Sequence, residues 1–252
     1  MQVVIPMAGL GQRFRDQGYA LPKPLIPVDG VPMVMRVVRD LPPARQVVFV
    51  VHPDHVEHYG VDRVLRKYLS GCEVVRTPGL TAGQACSVRL ATDVLQDDED
   101  VCVAACDNTH IYDQKAFQGL VSAGPDCIVW TYRREPRVLV HPEWYGWVRV
   151  QGDRVREISV KRPISDHLLD DHVVSGTFWF RSVRLMAAGI DSVIASGQRV
   201  NNEVYLDSVA NALTQRGYDV RVFEVDKYIG WGTPADLEDY HLWSRYIRST
   251  RN

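Results

Sequence analysis

Directly after the apolar run Val3–Pro6 stands Ala8-Gly9-Leu10-Gly11-Gln12-Arg13, followed by Leu21-Pro22-Lys23-Pro24-Leu25-Ile26-Pro27. Two glycines let a backbone turn sharply and bring its N–H groups close to phosphate oxygens. Arg13 adds a planar fork of donors and Lys23 a compact cation. The flanking prolines lower the entropy lost when Lys23 is held over a polyanion. A dinucleotide site would begin alike, but it needs a third small residue at position 14 and a helix running on from the loop. Phe14 stands there, and three prolines interrupt the helix. Asp29, roughly 20 residues beyond the first glycine where a ribose-binding acid would fall, precedes Gly30 in a turn. These residues point to a nucleoside triphosphate and away from NAD.

A second candidate is Asp107, which leaves the apolar run Val101–Ala105. An acid at the carboxyl edge of an α/β sheet points into the ligand crevice. Its alternative use, capping the next helix, is open to Asp113. His52, His55 and His58 are spaced by three, but only His55 and His58 can share a helix face. They read as solvated residues at a helix start after Pro53-Asp54, not as a metal box. No GxSxG or HExxH occurs, so serine-hydrolase and zincin chemistry have no foothold. The five cysteines form no CxxC and read as reduced, buried thiols. The six tryptophans lack the interleaved basic residues of a single-strand nucleic-acid platform.

These side chains need a scaffold, and 252 residues suffice for one α/β domain with a sizeable core. Strand-length runs alternate with helical periods through the first half, as in parallel βα units. Strands are expected at Val3–Pro6, Gln46–Val51, Glu73–Arg76, Val101–Ala105 and Cys127–Tyr132. Helices are expected over His55–Leu69, with Val56, Tyr59, Val64 and Leu65 on its apolar side, and over Gly83–Leu95. From about Glu135 the texture changes. Trp144–Val150 and Arg154–Val160 read as a hairpin about Gly152-Asp153, and Val173–Phe180 as a strand. Helices follow at Ser182–Ser196 and Glu203–Arg216, then a strand at Asp219–Val225 and a helix at Pro234–Tyr246.

With 29 basic and 31 acidic residues, the net charge of -2 gives no bulk attraction to nucleic acid or anionic membrane. No run approaches the ~18–20 apolar residues of a membrane span. The start, MQVVIPMAGLG, reads as a core strand and not as a secretory leader, so the cytoplasm is the expected compartment.

GxGxR followed by PKPLIPVDGVPMV resembles the sugar-nucleotidyltransferase family. Its later marks are the strand ending near Asp107, Tyr145-Gly146-Trp147-Val148, Val160-Lys161-Arg162-Pro163 and Trp231-Gly232-Thr233-Pro234-Ala235-Asp236-Leu237. The IPMAG start and GYALPKPLI are most similar to short capsule-pathway cytidylyltransferases, including those acting on phosphoglutamine. The resemblance implies a Rossmann-like three-layer mixed sheet (a GT-A-like nucleotidyltransferase fold). It implies one domain over 1–252, with a nucleotide-binding half at 1–134 and an acceptor-binding half at 135–252.

The implied activity is Mg²⁺-dependent transfer of a nucleoside monophosphate, CMP from CTP by preference, to a small phosphorylated acceptor in capsule or surface-polysaccharide precursor synthesis. Transfer to a hexose 1-phosphate is the plainer alternative. A glycosyltransferase of similar fold lacks support because Asp107-Asn108-Thr109 supplies no Asp-x-Asp. A non-catalytic nucleotide sensor would explain Gly230, which stands where the family usually carries its second metal acid. A homodimer is allowed. Nucleic acid and membrane are not expected partners.

By the resemblance, Arg13 and Lys23 hold the triphosphate as catalytic residues. Ala8, Gly9, Leu10, Gly11, Gln84 and Asp107 contact the nucleotide, Gln84 from the base-contacting loop. Asp107 also binds Mg²⁺, with Asp226 as substitute second ligand. Gly146, Lys161 and Glu203 face the acceptor, Glu203 and Asp207 lying on one helix face or else merely starting that helix. Lys161 stands where hexose-specific relatives carry an acid. Since a lysine only donates hydrogen bonds, the swap favours an acceptor with a second anionic group.

Overall fold

The computed structural model describes residues 1–250. β1 (Gln2–Met7) leads through the glycine loop into the short α1 (Gln12–Asp16), and a small hairpin of β2 (Pro27–Val28) and β3 (Val31–Pro32) feeds α2 (Met33–Asp40). β4 (Gln46–Val51), α3 (Pro53–Tyr59), α4 (Val61–Tyr68), β5 (Glu73–Arg76) and α5 (Gln84–Ala91) follow. Next come β6 (Val101–Ala104), β7 (Asn108–Ile111), α6 (Gln114–Ser122) and β8 (Cys127–Tyr132). The remainder holds β9 (Gly146–Gln151), β10 (Arg154–Val160), β11 (His172–Phe180), α7 (Val183–Ser196) and α8 (Leu206–Gln215). It ends with β12 (Val220–Glu224), β13 (Lys227–Gly230) and α9 (Pro234–Ser249).

Nine strands form one mixed sheet in the order β5-β4-β1-β6-β11-β8-β12-β10-β9. β5, β4, β1 and β6 are parallel, whereas β11 inserts antiparallel between β6 and β8. Alternation along each strand feeds two cores: Val4, Val48 and Phe178 face α5, α7 and α8, while Ile5, Phe49 and Trp130 face α2, α3, α4 and α6. Helices on both faces of a mixed sheet give the expected three-layer, Rossmann-like fold.

This topology sets the site. β1 and β6 are parallel neighbours, so the glycine loop after β1 and Asp107 after β6 emerge at the same sheet edge. β11 adds a bulge between Val174 and Phe178, where Gly176 takes a φ of +87° and accepts a hydrogen bond from the Ala105 N–H.

Three local expectations are corrected. The helix over His55–Leu69 is split at Gly60, whose left-handed φ of 59° ends α3 and starts α4. Leu65 is buried as expected, but Val61 joins it in the core and Tyr59 is exposed. The helix expected from Glu203 starts only at Leu206, because Val204 is held extended by hydrogen bonds with Ala82 and Ala85. Glu203 and Asp207 thus do not share a helix face. Finally, β7 and β13 pair outside the main sheet, with Gly230 opposite Asn108, a pairing the sequence pattern did not suggest.

The Ala82–Val204 contact depends on Gly83, where φ is +111° and an added Cβ would lie 2.6 Å from the Val204 nitrogen. Gly83→Ala should destabilise the fold by about 1–3 kcal/mol. Gly119, helical and open on all sides, should gain roughly 0.5–1 kcal/mol as alanine. Urea melts of both variants check this, and equal stabilities would contradict it.

Candidate functional site

Lys23 and Asp107 meet at the sheet edge, the lysine Nζ donating to Asp107 Oδ2 at 2.5 Å. Burial is the largest single influence and pulls the Lys23 ammonium down, but the charges of Asp107 and Cys106 and the hydrogen bond to Asp107 together outweigh it and leave the pKa raised. Lys23 is carried by a 3₁₀ turn (Lys23–Leu25) that Pro22 and Pro24 frame. The loop packs directly on it: a Cβ at Gly11 would lie 3.0 Å from the Lys23 Cβ. Asp107 is fixed from the other side, because its carbonyl accepts the Trp231 N–H at 2.7 Å. Trp231 is fully buried, and a Cβ at Gly232 would come within 3.3 Å of Asp107 Oδ2. Thr233 then caps α9 in a capping box with Asp236.

Two clefts share Lys23, Ala105, Asp107 and Tyr205. The first, of about 390 Å³, is lined by Ala8, Gly9, Gly11, Thr81, Gln84 and Glu203. The second, of about 380 Å³, is lined by Arg13, Trp144, Gly146, Lys161, Asp207 and Tyr228. Both fall within the usual size of small-molecule sites. Of the nucleotide-side expectations, only Leu10 lines neither cleft. Arg13, expected at the triphosphate, lies instead on the second cleft and not on the glycine-loop cleft, because its guanidinium stacks 4.0 Å over the Trp144 ring. Glu203 opens on the first cleft, opposite to the expectation that it faces the acceptor side. Its early position before α8 explains the change.

The second cleft holds opposed charges. Lys161 adopts a left-handed φ of 60° after β10, and its Nζ donates to the Trp144 carbonyl at 2.6 Å. Burial lowers its pKa, against the pull of Asp207 and Glu203. Asp207, in the first turn of α8, is only 9% exposed, and burial pushes its carboxyl up to about 6 against the opposing pull of its backbone hydrogen bond and Lys161. A Cβ at Gly146 would stand 2.0 Å from Asp207 Oδ1, so only glycine fits beside that carboxylate. Asp207 and Tyr205 are the residues that the sequence pattern undervalued. Their signal was available in the Gly146 turn, but not the partner it makes room for.

For a divalent cation the donor set is narrow. Asp226 sits in the turn between β12 and β13 and lines a separate cleft with Glu135 and Glu224. Neither cleft that Asp107 lines includes Asp226, and β13 reaches Asp107 only at its far end, where Gly230 pairs with Asn108. At Gly230 the space for a side chain is filled by Tyr228, whose Cε1 would lie 2.9 Å from a Cβ. Among the described residues no three His, Cys, Asp or Glu side chains cluster. One carboxylate fits a hard cation that completes its shell with phosphate oxygens and water, as Mg²⁺ does. Of the histidines spaced by three, His52 accepts the Asp54 N–H at helix α3, and His52 and His55 are buried, not solvated as expected. Cys106, beside Asp107, has its thiol pushed up to about 11 by burial, so it is no nucleophile at neutral pH.

Residues 3–174 match the MobA-like NTP transferase domain. The bifunctional protein GlmU of Oceanobacillus iheyensis is 29% identical over 239 residues, covering 90% of this chain and 48% of that one. The chain thus spans about half the length of this curated relative. A nucleoside-diphosphate-sugar pyrophosphorylase from Vibrio cholerae superposes with a TM-score of 0.76 at 19% identity, over 94% of this chain and 98% of that one. An inositol-1-phosphate CTP transferase from T. maritima gives 0.72 at 20%, over 96% and 94%. A putative glucose-1-phosphate thymidylyltransferase from Bacillus anthracis gives 0.73 at 17%, over 97% and 95%. At these identities the structures establish the fold.

The burial of Asp207 has a cost in stability that pH exposes. The folded chain holds this proton up to about pH 6, whereas the ordinary value is 3.8. Below pH ~4 both states are protonated and nothing is lost; between about 4 and 6 the unfolded chain ionises while the folded chain keeps its proton, so stability falls, and above about 6 the loss is complete. Asp207→Asn should therefore stabilise the protein by on the order of 2–3 kcal/mol at pH 8. The gain should vanish near pH 4 in thermal melts, and a gain independent of pH would contradict this reading.

Proposed function

The chain belongs to the MobA-like NTP transferase family, and from that premise we propose transfer of a nucleoside monophosphate, CMP from CTP by preference, to a small phosphorylated acceptor with release of pyrophosphate. The observation that carries this reading is the Lys23–Asp107 pair at the junction of two clefts. A reaction that joins two substrates needs adjoining sites and a cation with an acid where they meet.

In this reading the glycine-loop cleft takes the nucleotide. Backbone N–H groups at Gly9 and Gly11 face the phosphates, and Gln84 reads an edge of the base. Lys23 turns from Asp107 to the triphosphate, whose negative charge exceeds that of one carboxylate. The second cleft takes the acceptor, with Arg13 beside its phosphate. An acceptor phosphate oxygen attacks the α-phosphorus in line, and the bond from that phosphorus to the bridging oxygen breaks, releasing pyrophosphate. The nucleophile is already ionised at neutral pH, so no general base is required. Positioning and charge neutralisation then supply the rate. Asp107 would hold Mg²⁺, which neutralises charge on the departing pyrophosphate. Residues 1–134 and 135–252 act chiefly as the nucleotide and acceptor sides of one unit, although Glu203 and Tyr205 cross to the nucleotide side and Arg13 to the acceptor side.

Lys161 favours an acceptor with a second anionic group, the class expected in capsule-precursor cytidylyltransferases. Asp207, facing the same cleft, favours a second reading in which a hexose 1-phosphate presents hydroxyls to it. A pyrophosphate-release screen of four NTPs against phosphorylated sugars, amino acids and polyols separates the two. Turnover with no combination would contradict the enzyme reading and leave the nucleotide-sensing alternative.

Two further outcomes are expected. Lys23→Ala should lower kcat/KM by roughly 30–150-fold, a loss of about 2–3 kcal/mol of transition-state stabilisation; a folded variant within threefold of wild type would remove Lys23 from the site. EDTA should abolish turnover and Mg²⁺ restore it. Asp107→Asn should be nearly inactive while Asp226→Asn keeps its activity and Mg²⁺ response. An inactive Asp226→Asn would restore the role that its position argues against.

A further inference from the structure

Helix α9 carries apolar side chains on two opposite faces, and only one face is covered. The inner face is anchored: Leu237 is buried, Tyr240 packs edge-on against Trp231, and Tyr240, Ser244 and Arg248 all donate to Asp29. On the outer face Leu242, Trp243 and Tyr246 are 57%, 61% and 59% exposed, with Ile247 beside them. Spacings of three and four residues align them in one stripe, and the Trp243 and Tyr246 rings meet edge to face at 6.1 Å. Together they leave roughly 400–500 Å² of contiguous apolar surface, large for an uncovered patch on a monomer. The stripe runs on toward an open groove lined by Ala235, Asp239 and the exposed Val140.

We propose that this face seats a second copy of the chain, docked antiparallel about a two-fold axis at Leu242 and Trp243. Charge selects this occupant. The first half of α9 is acidic, with Asp236, Glu238 and Asp239, and the second half is basic, with Arg245 and Arg248. Glu238 and Arg245 lie close to two turns apart on one flank of the stripe. Both are exposed, and neither has an ion-pair partner among the described residues. A two-fold axis between them reverses the helix but keeps the flank, so each Glu238 meets Arg245 of the other copy. Asp239 then lies opposite Tyr246, whose hydroxyl can donate to it. An isologous contact repeats every such pair twice. A parallel copy would instead set acid against acid and base against base. With Val140 added, two such faces bury on the order of 1,000 Å², the lower limit of a specific pair, so the dimer is reversible and micromolar. The contact does not depend on which reaction the clefts perform.

Sedimentation velocity of the full chain from roughly 1 to 200 μM tests this. Wild type should pass from monomer to dimer within that span. Trp243→Glu should raise the dissociation constant by about 30-fold or more, as loss of a central aromatic anchor does. Glu238→Arg and Arg245→Glu should each raise it by about 10-fold or more, because each places like charges at both ends of the contact. Mixed in equal amounts, these two variants should pair with each other about as tightly as wild type, since opposite charges return at both ends. The substituted side chains are exposed, so thermal melts of the dilute variants should match wild type. If Trp243→Glu nevertheless fails to fold, the charge pair carries the test alone. A wild type that stays monomeric throughout would overturn the inference. So would a dimer that survives Trp243→Glu, or a mixture no tighter than its parts. A monomeric wild type that floats with phosphatidylserine vesicles would assign the face to a lipid surface and overturn it as well.

Discussion

The contact between Lys23 and Asp107 organises this molecule. Neither residue could hold the other without β1 and β6 running parallel side by side, which delivers loop and acid to one edge. The partners are locked independently. Gly11 packs on the lysine stem, and the Trp231 N–H holds the Asp107 carbonyl. Such a half-buried pair adds little net stability, because desolvation offsets much of the attraction. Its importance lies in what it keeps in reserve. A cation and an acid are held together where two clefts meet, each about one-fifth exposed and lining both. In the proposed reaction a triphosphate takes the lysine, and the acid is released to a hard cation.

The second cleft is built at the expense of the fold. Burial raises the Asp207 pKa and lowers that of Lys161, so both charged forms are disfavoured where they stand. Lys161 also takes a left-handed backbone, which for a non-glycine residue costs about 1–2 kcal/mol. Unfavourable choices gathered in one cleft are what a binding surface looks like before its ligand arrives. The rest of the sheet, with Trp130, Phe49 and Phe178 fully buried, supplies the compensating stability.

The legible part of the sequence was the part governed by local rules. β4, β5, β8 and β10 fall where apolar runs were bounded by turn residues. The glycine loop and Asp107 converge because the parallel strands β1 and β6 end at one edge, and Gly146 and Lys161 stand together because Gly146 pairs with Val160 in the antiparallel β9–β10 hairpin. What escaped was set by long-range contact. Glu203 was expected on a helix, but Val204 pairs with a loop more than a hundred residues away and stays extended. Asp226 was expected near Asp107 on its place at a strand end, yet the β7–β13 register turns it to a different cleft. The significance of Asp207 required knowing that Gly146 lies against it. No periodicity carries that information.

The central claim is transfer of a nucleotidyl group, and following the α-phosphorus tests it most directly. With α-³²P-labelled CTP, Mg²⁺ and an acceptor, label should enter a new diphosphate-linked product and the pyrophosphate should be unlabelled. No label should move without acceptor. Label recovered in free CMP without acceptor, or remaining in the triphosphate for all four NTPs and every acceptor, would contradict the account.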